Sequence, residues 1–297
     1  MKRIMLALAA GLLAVQPALS ADTAGGEWDK LITAETLSTL DGATVLDIRA
    51  PGDFASGHIP GAVNIPYPSW RGPAENPGEL ISDSVLTELL QSAGLDHSDR
   101  VVVAHAGAST TDFGAAARVY WTLKSAGFPE IAILNGGTAG WVDSGKDLST
   151  TAADVTPSAQ TFSLSDRWSV DGQAVADIIA GKREGTLVDA RPYDFFVGER
   201  QHQAATAPGT LRGAVNFPFA SWFDGEDIYI KEEALAQNVA ANIPAEAGEI
   251  VSFCNTGHWA ATNWFALSEL AGLEDVKLYP ESVVGWINAG GETVIGQ

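Results

Sequence analysis

The sequence predicts an α/β protein made of two tandem copies of one domain, each a mainly parallel sheet flanked by helices. Three observations predict this. Residues 57–70, GHIPGAVNIPYPSW, return as residues 209–222, GTLRGAVNFPFASW, with eight of fourteen positions identical. The matches around that block keep their order: Asp47-Ile48-Arg49 with Asp189-Ala190-Arg191, Ala126-Gly127 with Ala271-Gly272, and Gly140-Trp141 with Gly285-Trp286. In both copies short continuous apolar runs alternate with helix signals, the pattern of strands covered on both faces. The chain has 297 residues, 46% hydrophobic and 18% charged, enough to fill two ordinary cores.

The elements follow in chain order. Residues 1–20 read as a signal peptide: Lys2 and Arg3, an apolar run from Ile4 to Val15, Pro17, and small residues around Ser20 and Ala21. The run is too short for a bilayer, which needs about 20 residues, so the expectation is export, cleavage and a periplasmic protein without a membrane anchor. The first copy spans 28–148, with strands at 44–48, 62–65, 100–104 and 131–134. A linker at 149–166, rich in Ser, Thr and Ala, shows no strong periodicity. The second copy spans 167–297. Asp171 caps a helix ending near Gly181. Strands follow at Thr186–Asp189, Ala214–Phe217, Ile250–Phe253 and Val276–Tyr279, with helices at Lys231–Asn242 and Trp259–Leu270. This copy carries a ten-residue insertion near Glu199–Pro208.

Charge narrows the function classes. The formal charge is −20, from 17 Lys+Arg against 37 Asp+Glu. Loss of the leader removes Lys2 and Arg3 and no acid. Such a surface repels phosphate backbones and anionic lipid, which excludes nucleic acid and membrane as partners. The one cysteine, Cys254, excludes an intrachain disulfide and a Cys-rich metal site.

Cys254 is also the chemical centre. It ends the strand Ile250–Phe253 and precedes the helix from Trp259, and ligands of parallel sheets sit beyond the carboxyl ends of their strands. The intervening loop, Cys254-Asn255-Thr256-Gly257-His258-Trp259, can turn backbone N–H groups inward as an anion-binding nest, with the helix N-terminus adding positive potential. Both favour a thiolate. The first copy has His105 at the equivalent strand end, so that copy lacks the thiol. Asp189 and Arg191 recur there as Asp47 and Arg49, which marks a structural pair.

The sequence resembles the rhodanese family, specifically its tandem two-domain sulfurtransferases. Phe54-Ala55-Ser56-Gly57-His58-Ile59-Pro60-Gly61-Ala62 is similar to that family's N-terminal signature, and Asn135-Gly136-Gly137 with Trp141 to the end of its first domain. The likeness covers about residues 28–290. It implies two rhodanese-like domains and a sulfurtransferase of the thiosulfate or 3-mercaptopyruvate type. The Cys254 thiolate would take the sulfane sulfur of a small donor, form a persulfide, and pass the sulfur to a thiophilic acceptor such as cyanide or a thiol, with no metal or organic cofactor.

The match departs from the family at the substrate positions. The basic residue that thiosulfate-type members carry in the loop is replaced by Thr256, and a second basic position is Phe195. The expected substrate-binding set is therefore Asn255, Thr256, Gly257, His258, Trp259, Arg200 and Arg212, with His202 of the insertion a further possibility. Trp259 reads either as packing or as an apolar wall shielding the persulfide. A cysteine phosphatase is disfavoured, because no Arg follows Cys254 through Trp264. A persulfide carrier serving a protein acceptor is the remaining alternative.

Overall fold

A computed structural model describes residues 28–232, 236–237, 240–241, 243 and 248–297. The leader, and half of the helix expected over 231–242, lie outside the described residues.

Each copy forms its own sheet, and every strand pair is parallel. The first sheet runs β1-β5-β4-β2-β3, with β1 Leu31–Ile32, β2 Ala43–Asp47, β3 Val63–Asn64, β4 Arg100–Ala104 and β5 Glu130–Leu134. The second runs β7-β6-β8-β9, with β6 Gly185–Asp189, β7 Val215–Asn216, β8 Glu249–Phe253 and β9 Val276–Leu278. The central strands β4 and β8 are apolar and buried because helices cover both sheet faces. β1 is too short to leave a sequence signal. Asp171 caps the helix Gly172–Ile179 through its side chain, 2.8 Å from Ala174 N. Residues 152–165 contain no helix or strand, but Phe162 is buried against Phe128 and His97.

Two helices join the copies. Thr110–Ser125 of the first is buried along most of its length, because it packs on its own sheet and also on Trp259–Phe265 of the second. Phe113 and Tyr120 meet Phe265 edge-on at 5.5 and 4.9 Å between ring centroids. The largest buried cluster accordingly draws residues from both copies. The helix expected over Trp259–Leu270 is α only to Phe265; Ala266–Leu270 widens into a π segment. Glu269 on that segment is buried, with Lys124 at 2.6 Å and Tyr120 Oη at 2.9 Å.

Candidate active site at the junction of the two copies

β8 delivers Cys254 to the carboxyl edge of the second sheet, as the apolar run predicted. The turn after it is fixed at several points. Cys254 N–H donates to Ser282 Oγ at 3.0 Å, and Ser282 donates to the Tyr279 carbonyl at 2.9 Å. Ser282 is the one non-glycine residue with positive φ (55°) among the described residues, a conformation that costs about 1–3 kcal/mol and marks a site that its surroundings over-determine. Val283 and Val284 N–H bond the Cys254 and Asn255 carbonyls. Asn255 Oδ1 accepts from Arg191 Nη1 at 3.2 Å, and Arg191 is clamped by Asp189 and by the Gly209 carbonyl. Arg49 and Asp47 repeat that clamp in the first copy, onto the Gly57 carbonyl, without a loop contact.

Gly257 has φ 70°, and a Cβ there would run into the Pro280 carbonyl and the Arg118 guanidinium. That close approach introduces the main feature of the site: its cations come from the first copy. Arg118, 1% exposed, donates to the carbonyls of Gly257 (3.3 Å), Pro280 (3.4 Å) and Gly78 (3.1 Å). Arg71 donates to the Thr256 carbonyl at 2.6 Å and to Tyr67 Oη at 2.8 Å. Neither arginine forms an ion pair among the described residues. Burial, then repulsion from Arg71, lowers the Arg118 pKa to about 9, so it stays charged at neutral pH.

His258 completes the bridge. Its Nε2 lies 2.9 Å from the Thr111 carbonyl, which can only accept, so Nε2 carries the proton and Nδ1 accepts from Tyr67 Oη at 2.9 Å. Burial first, and the Arg71 charge second, push His258 down to about 3. It is a neutral strut, not a cation for a donor. Trp259 donates its indole N–H to Thr111 Oγ1 at 2.6 Å, stacks on Phe219 at 5.0 Å and meets Phe195 edge-on at 5.8 Å. Trp259 thus packs between the two copies.

Cys254 itself is 1% exposed, and Asn255, Thr256 and Gly257 are buried with it. No acceptor among the described residues takes the N–H of Asn255, Thr256, Gly257, His258 or Trp259. Buried N–H groups are normally paired, and leaving one unpaired costs about 1–3 kcal/mol. A run of them beside a cysteine is a receptor for negative charge.

The first copy shows the same loop in a closed form. His105 stands at the end of β4, 1% exposed and pushed down to about 4 by burial. Its following loop is filled by its own carboxylate: Asp112 Oδ2 accepts from Ala108 N at 2.8 Å and Ser109 N at 3.0 Å. From the second copy, Ile230 pairs its backbone with the Asn135 amide, at 3.0 and 3.2 Å.

The remaining expected residues lie around the loop. Arg200, at the start of the insertion, is 61% exposed, pairs with Asp194 at 3.0 Å and covers the Phe195 ring at 4.5 Å, so only Phe195 and Trp259 link it to the loop. The pKa of His202 is lowered by burial first and by the Arg71 charge second. Arg212 is exposed and has no ion pair among the described residues. Phe195, where a base was missed, packs against Trp259 and under Arg191 and Arg200.

Tyr67, Arg71, Thr111 and Arg118 were not foreseen. Two signals pointed to them. Arg118 is a lone charge in the apolar run Ala115–Leu123, and the repeat places Tyr67 and Arg71 opposite Phe219 and Phe223, so the copy without the thiol is the more polar at those positions.

Known proteins resemble this chain over most of its length. A protein of Mycobacterium leprae named "Putative thiosulfate sulfurtransferase" is 26% identical over 266 residues, covering 86% of this chain and 93% of its own. A "Sulfur carrier protein TtuD" of Thermus thermophilus is 26% identical over 249 residues, covering 80% and 85%. Among solved structures, the anaerobic ergothioneine biosynthesis enzyme of Chlorobium limicola superposes with a TM-score of 0.75 at 20% identity, over 90% of this chain and 70% of that one, which establishes likeness of fold. The rhodanese-like domain is found twice, at residues 33–144 and 173–289. With two parallel sheets flanked by helices and that domain matched in each half, the chain belongs to the rhodanese-like family, in tandem form.

Proposed function

We propose that the protein is a sulfurtransferase that moves a sulfane sulfur from thiosulfate to a thiophilic acceptor through a persulfide on Cys254. The observation that carries this reading is the set of buried, unpaired N–H groups around Cys254, backed by two guanidinium groups without carboxylate partners. On a chain of formal charge −20, such a concentration of positive field serves an anion. The pair of cations suits a dianion such as thiosulfate better than the monoanion 3-mercaptopyruvate.

In this reading the Cys254 thiolate attacks the outer sulfur of thiosulfate. A Cys254 S–S bond forms, the S–S bond of thiosulfate breaks, and its electron pair leaves on sulfite. The loop N–H groups then hold the persulfide anion, which is electrostatic preorganisation. An acceptor such as cyanide takes the outer sulfur and returns the electron pair to Cys254 as thiolate, so the cycle is redox-neutral and of the ping-pong type. Near-complete burial of Cys254 means that donor and acceptor reach it only as covering side chains shift, which favours a small acceptor over a docked protein thiol. Residues 1–20 direct export to the periplasm in this reading, and Edman sequencing of the exported protein checks it: a mature chain beginning near Ala21 supports export, and one retaining Lys2 and Arg3 refutes it.

The test is mass spectrometry of Cys254 after exposure to thiosulfate or mercaptopyruvate, paired with thiocyanate formation from cyanide. The expected result is gain of one sulfur atom from thiosulfate and turnover that Cys254→Ser abolishes. Loading by mercaptopyruvate alone would shift the donor assignment. A thiol that neither takes sulfur nor alkylates in the native protein would refute the reading.

A further inference from the structure

We infer that Arg71 and Arg118 of the first copy are positioning residues for the second copy's cysteine loop, so that the domain lacking a thiol builds half of the anion receptor. This rests on the sulfurtransferase reading above and adds what the thiol-free copy does within it.

A trans peptide is planar, so its C=O and the N–H of the next residue point in opposite directions. Arg71 holds the Thr256 carbonyl and Arg118 holds the Gly257 carbonyl, at 2.6 and 3.3 Å. Those bonds turn both oxygens towards the first copy. They therefore turn the N–H of Gly257 and of His258 the other way, and neither N–H meets a protein acceptor among the described residues. Without an outside donor, two adjacent buried carbonyls would compete to rotate inward, and the loop would present acceptors to an anion.

Further observations fit. The brace has no slack: Arg118 also binds Pro280 and Gly78 carbonyls, and Gly257 has no room for a side chain against it. His258 and Trp259, the next two residues, are both bonded to Thr111. All of these tethers except the Arg118–Gly78 bond cross from the first copy to the second. The first copy's own loop needs no such brace, since Asp112 already satisfies two of its N–H groups from inside. The charged and titratable groups facing the loop are Tyr67, Arg71, Arg118 and His258, together with Arg191, which reaches Asn255 and is paired with Asp189; His202 feels the Arg71 charge.

The experiment reads the amides directly. Full-length ¹⁵N-labelled protein is loaded with sulfur from thiosulfate, and the amide resonances of Gly257 and His258 are compared before and after. In the wild type both are expected to move downfield on loading, as donors to a new anion. Arg71→Met, half-buried and therefore the safer variant for folding, is expected to lose the Gly257 shift while the Asn255 shift remains, and to shorten the persulfide lifetime at least tenfold. Arg118→Met is expected to do the same at His258, and is interpreted only if its melting curve stays cooperative. Wild-type shifts in a folded Arg71→Met protein overturn the inference while leaving the sulfurtransferase reading intact. Failure of the wild type to load sulfur overturns the sulfurtransferase reading instead.

Discussion

Replacing Gly257 by alanine tests the construction of the loop most sharply. The position has φ 70°, and the added methyl would overlap the Pro280 carbonyl oxygen and the Arg118 guanidinium. The left-handed conformation alone costs a non-glycine residue roughly 1–2 kcal/mol. Forcing a methyl into a packed site adds about 1–3 kcal/mol, and a displaced Arg118 loses charged hydrogen bonds worth about 1.5–3 kcal/mol each. Part of the total relaxes, so a loss of about 3–5 kcal/mol is expected. Gly213 is the control: its φ is 80°, yet nothing lies within 4 Å of a Cβ placed there. Gly213→Ala should therefore cost only the conformational part, about 1–2 kcal/mol. Urea unfolding measures both, and at about 2–4 °C per kcal/mol the Gly257→Ala melting point should fall by about 6–20 °C. Equal stabilities for the two variants would refute the claim that Arg118 and Pro280 close on the loop.

Two other perturbations probe the junction between the copies. His258 and His105, at about 3 and 4, both sit below the usual 6.5 for histidine, so the folded state binds fewer protons than the unfolded state in between. Their stabilisation is complete above pH 6.5 and is lost as pH falls towards 4, by up to about 1.4 kcal/mol per pH unit for each; urea unfolding from pH 7 to 5 in wild type and His258→Gln should show a shallower slope in the variant. Glu269→Gln removes the charge that faces Lys124 at 2.6 Å and Tyr120 at 2.9 Å, and a loss of about 1–3 kcal/mol in the same measurement is expected, whereas no loss would make the pair incidental.

The strands were legible because buried parallel strands need unbroken apolar runs. Ile250–Phe253 and 100–104 announce themselves, and with them the position of Cys254 at a strand end. The repeat located the copies and the thiol-free counterpart. The cations were not legible, because they are supplied across the junction. Arg118 meets Gly257 from 139 residues away in the chain, and reading the second copy alone offered local substitutes, Arg200, His202, Arg212 and His258. The loss of basic groups at Thr256 and Phe195 was visible, but not where the charge had gone. The inward turn of Glu269 was also hidden, since an α helix and a π segment share nearly the same sequence signal.

The mixed core has a consequence for how the chain could have evolved and how it can be cut. In sequence the protein is modular, one unit written twice. In its packing it is not, because Phe113, Trp121, Trp264 and Phe265 belong to a single buried cluster drawn from both units. Either half expressed alone would expose aromatic surface that the other now covers. The two units should melt together as one cooperative block, and a mutation in the thiol-free half should be felt as strongly by the whole as one beside the cysteine. Duplication here ended as mutual dependence: the spare copy has become a part that cannot be removed.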